Sequence, residues 1–268
     1  MPTMRIIYIL LALATLSIYL LWLGKFKQIS KKIACTTAIS SLTLGGGLLL
    51  LAVLPGNSFY GPVMTNIDTK DKVIALTFDD GPYPPYTNDL LKLLQEKNVH
   101  ATFFLVAENA AKHPELVRQL KNNGHEIALH AYIHQDLLKL SKEQLTDNIT
   151  TGKNVLENIT STKVSYMRPP HGFKDWAVMD AIHSAGLQAV NWSIIPRDWT
   201  NPGVDVISER VLKAAKPGAI VLLHDGDSPK EAASREQTIQ ATAIIIDKLH
   251  NEGYTFVTIS ELQQRSNQ

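Results

Sequence analysis

Hydrophobic positions fall in two regimes along this chain. From Ile6 to Leu23, and again from Ile33 to Leu54, apolar residues follow one another with no charge between them. Beyond Asp71, short apolar runs alternate with longer stretches of helical spacing. The first long run is just sufficient to cross a hydrocarbon core, and Tyr19 and Trp22 lie near one end, where aromatic belts form. The second has a Ser/Thr-rich first half and a Gly/Leu-rich second half, and is read as a second crossing despite its hydroxyls. Residues 1–56 are therefore expected to be a membrane anchor, with segments at about 6–23 and 33–54. The stretch 57–71, with Gly, Pro and Asn, reads as a linker, 72–262 as the main domain and 263–268 as a tail.

In the main body, Val73 to Phe78, Ala101 to Val106 and Glu126 to His130 have the short, apolar, β-rich character of buried parallel strands. Later strands are expected at Ser165 to Arg168, Gln188 to Trp192, Ala219 to Leu223 and Thr255 to Val257. Between them the spacing predicts helices at Asn88 to Lys97, Pro114 to Asn122, Ser141 to Ile159, Trp176 to Ser184, Val206 to Ala215 and Arg235 to Asn251. Ser141 and Gln144 fit a capping box. Repeated βα units imply a parallel sheet, and their number suits an α/β fold of distorted barrel type better than a small open sheet. A doubly wound sheet is the alternative.

Charge sharpens this division. The first 56 residues carry Arg5, Lys25, Lys27, Lys31 and Lys32 and no acid, whereas the remainder holds 21 basic against 25 acidic residues. Four lysines between the two apolar runs should stay cytoplasmic, which puts the main body outside. A signal peptide is the competing reading, but the second run lacks a clear small-x-small cleavage signal, so retention in the cell membrane is expected. The mildly acidic body argues against nucleic acid as partner. Cys35 is the only cysteine, which excludes an intramolecular disulfide and a Cys-rich zinc site within this sequence.

Chemistry-bearing residues cluster after the expected strands. Thr77-Phe78-Asp79-Asp80-Gly81-Pro82 comes first, then His130-Ala131-Tyr132-Ile133-His134, then Arg168-Pro169-Pro170-His171-Gly172-Phe173, Asp198-Trp199 and Leu222-Leu223-His224. In a βα barrel the C-terminal strand ends share one mouth, so these segments can meet there. If a helix begins after the third strand, His130 and His134 fall on one face and can reach one ion. Asp79 or Asp80 would complete three protein ligands with room for water. Two adjacent aspartates allow one to bind a cation while the other stays ionised as a base. Each piece alone is a weak signal; together and in order they support one another.

Taken together, these segments resemble the polysaccharide deacetylase family, the NodB-homology domain of carbohydrate esterase family 4, over roughly Lys72 to Leu262. The resemblance implies a distorted (β/α) barrel, here preceded by a transmembrane hairpin, that removes N-acetyl groups from glycans with a divalent metal such as Zn, Co, Mn or Ni. It implies Asp80, His130 and His134 as metal ligands and Asp79 as the general base toward water. The oxyanion would be held by the metal and the backbone N–H of His171. Arg168 would orient Asp79, His224 would protonate the departing amine, and Asp198 would fix the tautomer of His224 and raise its pKa. Trp199 and Leu222 would wall the acetate methyl, although ordinary core packing explains them equally well without the family. The substrate implied is an extracytoplasmic N-acetylated glycan, with peptidoglycan N-acetylglucosamine first. Alternatives are another glycan, an O-acetyl ester, or a non-catalytic wall-binding relative.

Three positions depart from the family pattern. Ala131 stands where Ser or Thr is usual, which removes a loop-bracing hydrogen bond of about 1 kcal/mol. His171 replaces a tyrosine, and Ile195 an aspartate. None of these positions bears the metal, base or acid, so an active enzyme is expected.

Overall fold

A computed structural model gives the structure of residues 5–227 and 233–265. Two long helices, α1 (Ile6–Lys25) and α2 (Lys31–Val53), precede everything else. Both are long and apolar enough to cross a membrane, with mean hydropathies of 2.4 and 1.7, and little of either is buried inside the protein. They pack on each other through small residues. Ala34, Ala38, Ser41 and Gly45 of α2 are buried, and a Cβ on Gly45 would lie 3.3 Å from Leu10. Such small-residue stripes let apolar helices approach closely.

The strand β1 (Val73–Asp79) is buried at all seven positions, as a strand covered on both faces must be. Its partners are β2 (Thr102–Leu105), β3 (Glu126–Leu129), β4 (Tyr166–Met167), β5 (Gln188–Ala189) and β6 (Ala219–His224). They lie parallel in the order β5-β4-β3-β2-β1-β6, and β7 (Thr255–Phe256) pairs with the start of β1. The sheet curls. After β5 the chain crosses over to β6, where Ile194 bridges Val221 and closes the circle. The expected barrel is thus present, made irregular by two-residue strands at β4, β5 and β7.

Side-chain alternation along β1 divides the core. Ile74, Leu76 and Phe78 face outward into the layer beneath the helices. Val73 and Ala75 face the lumen, where Phe104, Ala128, Val190, Trp192, Ile220 and Leu222 gather. The same alternation turns Thr77 and Asp79 inward. Strand register sets Asp79 beside Phe104 on one neighbour and His224 on the other, so base-type and acid-type groups reach the mouth at one level.

The outer layer holds α3 (Tyr86–Glu96), α4 (Ala107–Lys112), α5 (Pro114–Asn122), α6 (Lys142–Thr160), α7 (Trp176–Ser184), α8 (Val204–Ala214) and α9 (Glu236–Asn251). The expected capping box opens α6, with Ser141 Oγ accepting from the Gln144 N–H at 3.2 Å and Gln144 Oε1 accepting from the Ser141 N–H at 2.9 Å. Two helices were not anticipated. The six residues of α4 lack a leucine stripe. The second, α10 (Ile259–Gln264), takes in part of the expected tail and seals the barrel floor with Ile259 and Leu262. Of that tail, residues 266–268 lie outside the described residues.

The stretch expected as a linker is bound along the domain. Met64 bridges Val190 and Asn66 bridges Ala219, and Tyr60 is buried, its hydroxyl donating to the Leu48 carbonyl at 2.7 Å. Polar turn residues signalled a connection, but the backbone pairing that fixes it comes from residues far along the chain. The outer ends of the hairpin are bound as well. Asp175 caps α7 through Oδ1, accepting from the Val178 N–H at 2.9 Å. Its Oδ2 accepts from the Ile6 N–H at 3.2 Å and pairs with Arg5 Nε at 3.3 Å. Lys174 donates Nζ–H to the Leu54 carbonyl at 2.7 Å and its backbone N–H to the Ala52 carbonyl at 3.0 Å.

Candidate active site

Where β1 ends, Asp80 takes the left-handed region, φ 76°. This turns two successive carboxylates into one mouth. Gly81 follows because Asp225 presses on it: a Cβ there would sit 2.2 Å from the Asp225 carboxylate. Across β3, His130 and His134 converge on Asp80. The two Nε2 atoms lie 3.5 and 3.4 Å from Asp80 Oδ1. One donor atom from each of Asp80, His130 and His134 falls within 4.8 Å of the others. The helix expected to bring the histidines together is absent. Residues 130–136 form a loop in which Ala131 has φ 70°, and this turn, rather than a helical face, aims both rings.

The donor chemistry suits a divalent cation. His130 donates its Nδ1–H to the Arg168 carbonyl at 2.7 Å, which leaves the Nε2 lone pair toward Asp80. Burial, with the neighbouring His134, pushes the His130 pKa well below its ordinary value, and burial lowers His134 too. Two neutral imidazoles and a carboxylate thus face one point, the set a zinc-type site uses with an open position for water.

Asp79 lies beside this group, with Oδ2 3.8 Å from His130 Nε2. Burial pushes its carboxyl up to about 6, against the pull of Arg168 and His224. Arg168 is fully buried in the lumen. Its Nη1 donates to Asp79 Oδ1 at 2.5 Å and to Thr77 Oγ1 at 2.9 Å, its Nε to the Val190 carbonyl at 3.2 Å and its Nη2 to the Asn191 carbonyl at 3.0 Å. The guanidinium lies 4.0 Å over the Phe104 ring. A planar fork held on every side offers Asp79 one fixed bond.

The opposite wall is built from β6 and the turn at Asp198–Thr200. His224 donates Nδ1–H to Asp198 Oδ1 at 2.9 Å, and its backbone N–H to Asp198 Oδ2 at 2.8 Å. Thr238 Oγ1 also donates to that Oδ2, at 2.9 Å. Against the downward push of burial, the Asp198 charge and hydrogen bond raise His224 to about 9. Against the upward push of burial, His224 and Thr238 hold Asp198 below its ordinary value.

These walls enclose a cavity of about 370 Å³, also lined by His171, Phe173, Trp192, Ile195, Trp199, Leu222, Asp227 and Arg235. His171, at φ 61°, sets its ring edge-on to His134 at 5.0 Å. Trp199 meets His224 edge-on at 5.2 Å, and Leu222 is buried beneath. Ile195, at the position of the missing aspartate, is exposed at the rim. Every residue given a catalytic, substrate or metal role from the sequence reaches this one cavity or, for Arg168 and Asp198, bonds directly to a residue that lines it.

Sequence reasoning passed over Asp225. It is fully buried, accepts from the Thr87 hydroxyl at 2.5 Å and is pushed up to about 7 by burial and by Asp80. The signal was there in Gly81 and Gly226, two glycines that leave room where this carboxylate meets the Asp80 backbone; a Cβ on Gly226 would lie 2.4 Å from the Asp80 carbonyl oxygen. Trp192 and Arg235 were also passed over, since nothing in their local sequence marks them.

The family model described as polysaccharide deacetylase matches residues 66–190. A peptidoglycan-N-acetylglucosamine deacetylase of Bacillus cereus is 42% identical over 204 residues, covering 75% of this chain and 93% of that protein. A chitooligosaccharide deacetylase of Bradyrhizobium is 40% identical over 196 residues, covering 70% and 90%. A solved peptidoglycan N-acetylglucosamine deacetylase superposes with a TM-score of 0.70 at 30% identity, over 75% of this chain and 92% of that one. The chain therefore belongs to the polysaccharide deacetylase family, carbohydrate esterase family 4, and is a polysaccharide N-deacetylase.

Proposed function

We propose that this enzyme hydrolyses the N-acetyl groups of an extracytoplasmic glycan, N-acetylglucosamine of peptidoglycan first, from a domain anchored in the cell membrane by α1 and α2. One observation carries the reading: Asp80, His130 and His134 converge beside Asp79, while His224 faces them across a single cavity. The similarity to a peptidoglycan-N-acetylglucosamine deacetylase supports the substrate. The lengths and hydropathies of the two helices, and the lysines between them, support the anchor and an outside position for the domain.

Asp80, His130 and His134 would hold a divalent ion, Zn, Co, Mn or Ni, which when bound polarises the acetamide carbonyl and lowers the pKa of water. Asp79 takes the proton from the attacking water. Its bond from Arg168 aims one oxygen and leaves the other toward the mouth. The His171 backbone N–H donates to the developing oxyanion. His224, fixed through Nδ1 by Asp198, carries its mobile proton on Nε2 and gives it to the departing amine. Trp199 and Leu222 form the apolar wall for the acetyl methyl. Asp79 near 6 and His224 near 9 leave a window in which the base is ionised and the acid protonated.

The test is acetate release by the purified full chain from peptidoglycan and from chitooligosaccharide, with the products weighed by mass spectrometry. Loss of acetyl from glucosamine residues is expected. Absence of release with each of Zn, Co, Mn and Ni would end the reading.

A further inference from the structure

The hairpin does more than tether the domain, because its outer ends grip the loops that carry the site. Arg5 donates Nη2–H to the Leu137 carbonyl, in the loop that follows His134. It also pairs with Asp175, in the loop that follows His171. Ala52 and Leu54 accept from Lys174 of that second loop. Pro55 accepts from Asn191 Nδ2 at 2.9 Å, just after β5. Three consecutive βα loops of the catalytic end are therefore bound to the residues where the two long helices begin and end. Ile6 and Ala52 are buried in the domain's own core, so the junction is packed as well as hydrogen-bonded.

Helix length fixes where that junction lies. At 1.5 Å per residue, the 20 residues of α1 span about 30 Å, the thickness of a hydrocarbon core. Arg5 then sits at one boundary of the bilayer and Lys25 at the other. Three peptide units separate His134 from Leu137, and three separate His171 from Lys174, so each pair of Cα atoms is at most roughly 11 Å apart. On that placement the mouth opens within roughly one to two nanometres of the headgroups.

The apolar surface agrees. Past residue 57, the exposed large hydrophobics among the described residues are Phe59, Ile133, Ile195, Trp199 and Val206. Three of them, Ile133, Ile195 and Trp199, stand at the mouth. Phe59 packs on Tyr60 and Trp176 beside the hairpin junction, at 5.1 and 5.5 Å. Amphipathic and aromatic residues favour the membrane–water interface.

We propose that the substrate is a lipid-linked glycan, deacetylated while it is still held at the outer face of the membrane. The step would precede transfer of that glycan to the wall, and the transfer reaction would receive amino sugars already freed of acetate. This rests on the deacetylase and anchor readings above.

The test uses the full chain in nanodiscs with an N-acetylglucosamine oligomer joined to a lipid by a stiff oligoproline spacer. Spacers of about 8 and about 32 prolines reach roughly 25 and 100 Å. A pivoting rod spreads its tip over heights up to its own length, so a site close to the bilayer should favour the short spacer by about fourfold. Equal rates, or a faster long-spacer substrate, would overturn the proposal, because a site on the far side of the domain gives that order. The same oligomer free in solution, added to the same discs, separates the causes. If it is hydrolysed while the short spacer shows no advantage, the geometry is wrong; if none of the three is hydrolysed, the deacetylase reading falls and takes this proposal with it.

Discussion

On one flank of the mouth, His130 gives its Nδ1 proton to a backbone carbonyl and is held neutral; on the other, His224 gives the same proton to a carboxylate and is held charged up to about 9. Both rings stand at the ends of parallel strands, so burial pushes both toward the neutral form. What separates them is the acceptor. A carbonyl dipole orients an imidazole without paying for its charge, whereas the Asp198 carboxylate, itself braced by Thr238, stabilises imidazolium directly. On the proposed roles, the protein would make a cation ligand and a proton donor from one residue type by choosing what stands behind each ring.

The harshest way to break this contrast is to damage the neutral flank. Asp80→Ala should abolish metal retention and lower acetate release by about 10³-fold or more, as expected when several kcal/mol of electrostatic stabilisation is lost. Asp79→Asn should lower kcat by roughly 10²–10⁴-fold while metal content, measured by elemental analysis, holds. Loss of metal in the second variant would mean that Asp79 is a ligand and not a base.

A milder change tests the charged flank. Activity should rise as Asp79 ionises, at or below about pH 6 because a bound cation favours the carboxylate, and should fall as His224 loses its proton near pH 9. Asp198→Asn removes the charge that raises His224 and leaves burial to lower it, so the basic limb should move down by about two units, with kcat at pH 8 reduced by roughly tenfold. A basic limb that stays at pH 9 would assign that limb to another group. The smallest effect belongs to the loop beneath the ligands. Ala131→Ser should change kcat by less than about tenfold, the worth of one hydrogen bond. A larger gain would show that the departure at this position is what limits the enzyme.

Much of this was legible before any coordinates. Strands read from apolar runs, and helices read from Leu90, Leu91 and Leu94 or from the Ser141 cap, fall within a few residues of where they are found. The candidate ligands were legible because Asp and His segments, each a weak signal alone, recur in order after expected buried strands. The way they meet was not. Spacing suggested a helix for His130 and His134, but a left-handed turn at Ala131 does the work, and backbone sign is not written in periodicity. Asp225 escaped because its place depends on Gly81, far away in the chain. The helix α10 could have been found, since Thr258 and Glu261 form a capping box, but six residues at a chain end give too little period to weigh against a tail.

Arg168 has one more effect, through what it denies to water. Seated over Phe104, with the apolar residues of the lumen below and α10 as a stopper, it stands between Asp79 and the floor. On the proposed role of Asp79, a hydrogen ion accepted by the carboxylate would return through the opening by which the sugar entered. Recharging the enzyme for its next turnover would then be tied to clearing of that doorway, and a slow-leaving acetate would throttle the cycle even if bond cleavage were fast.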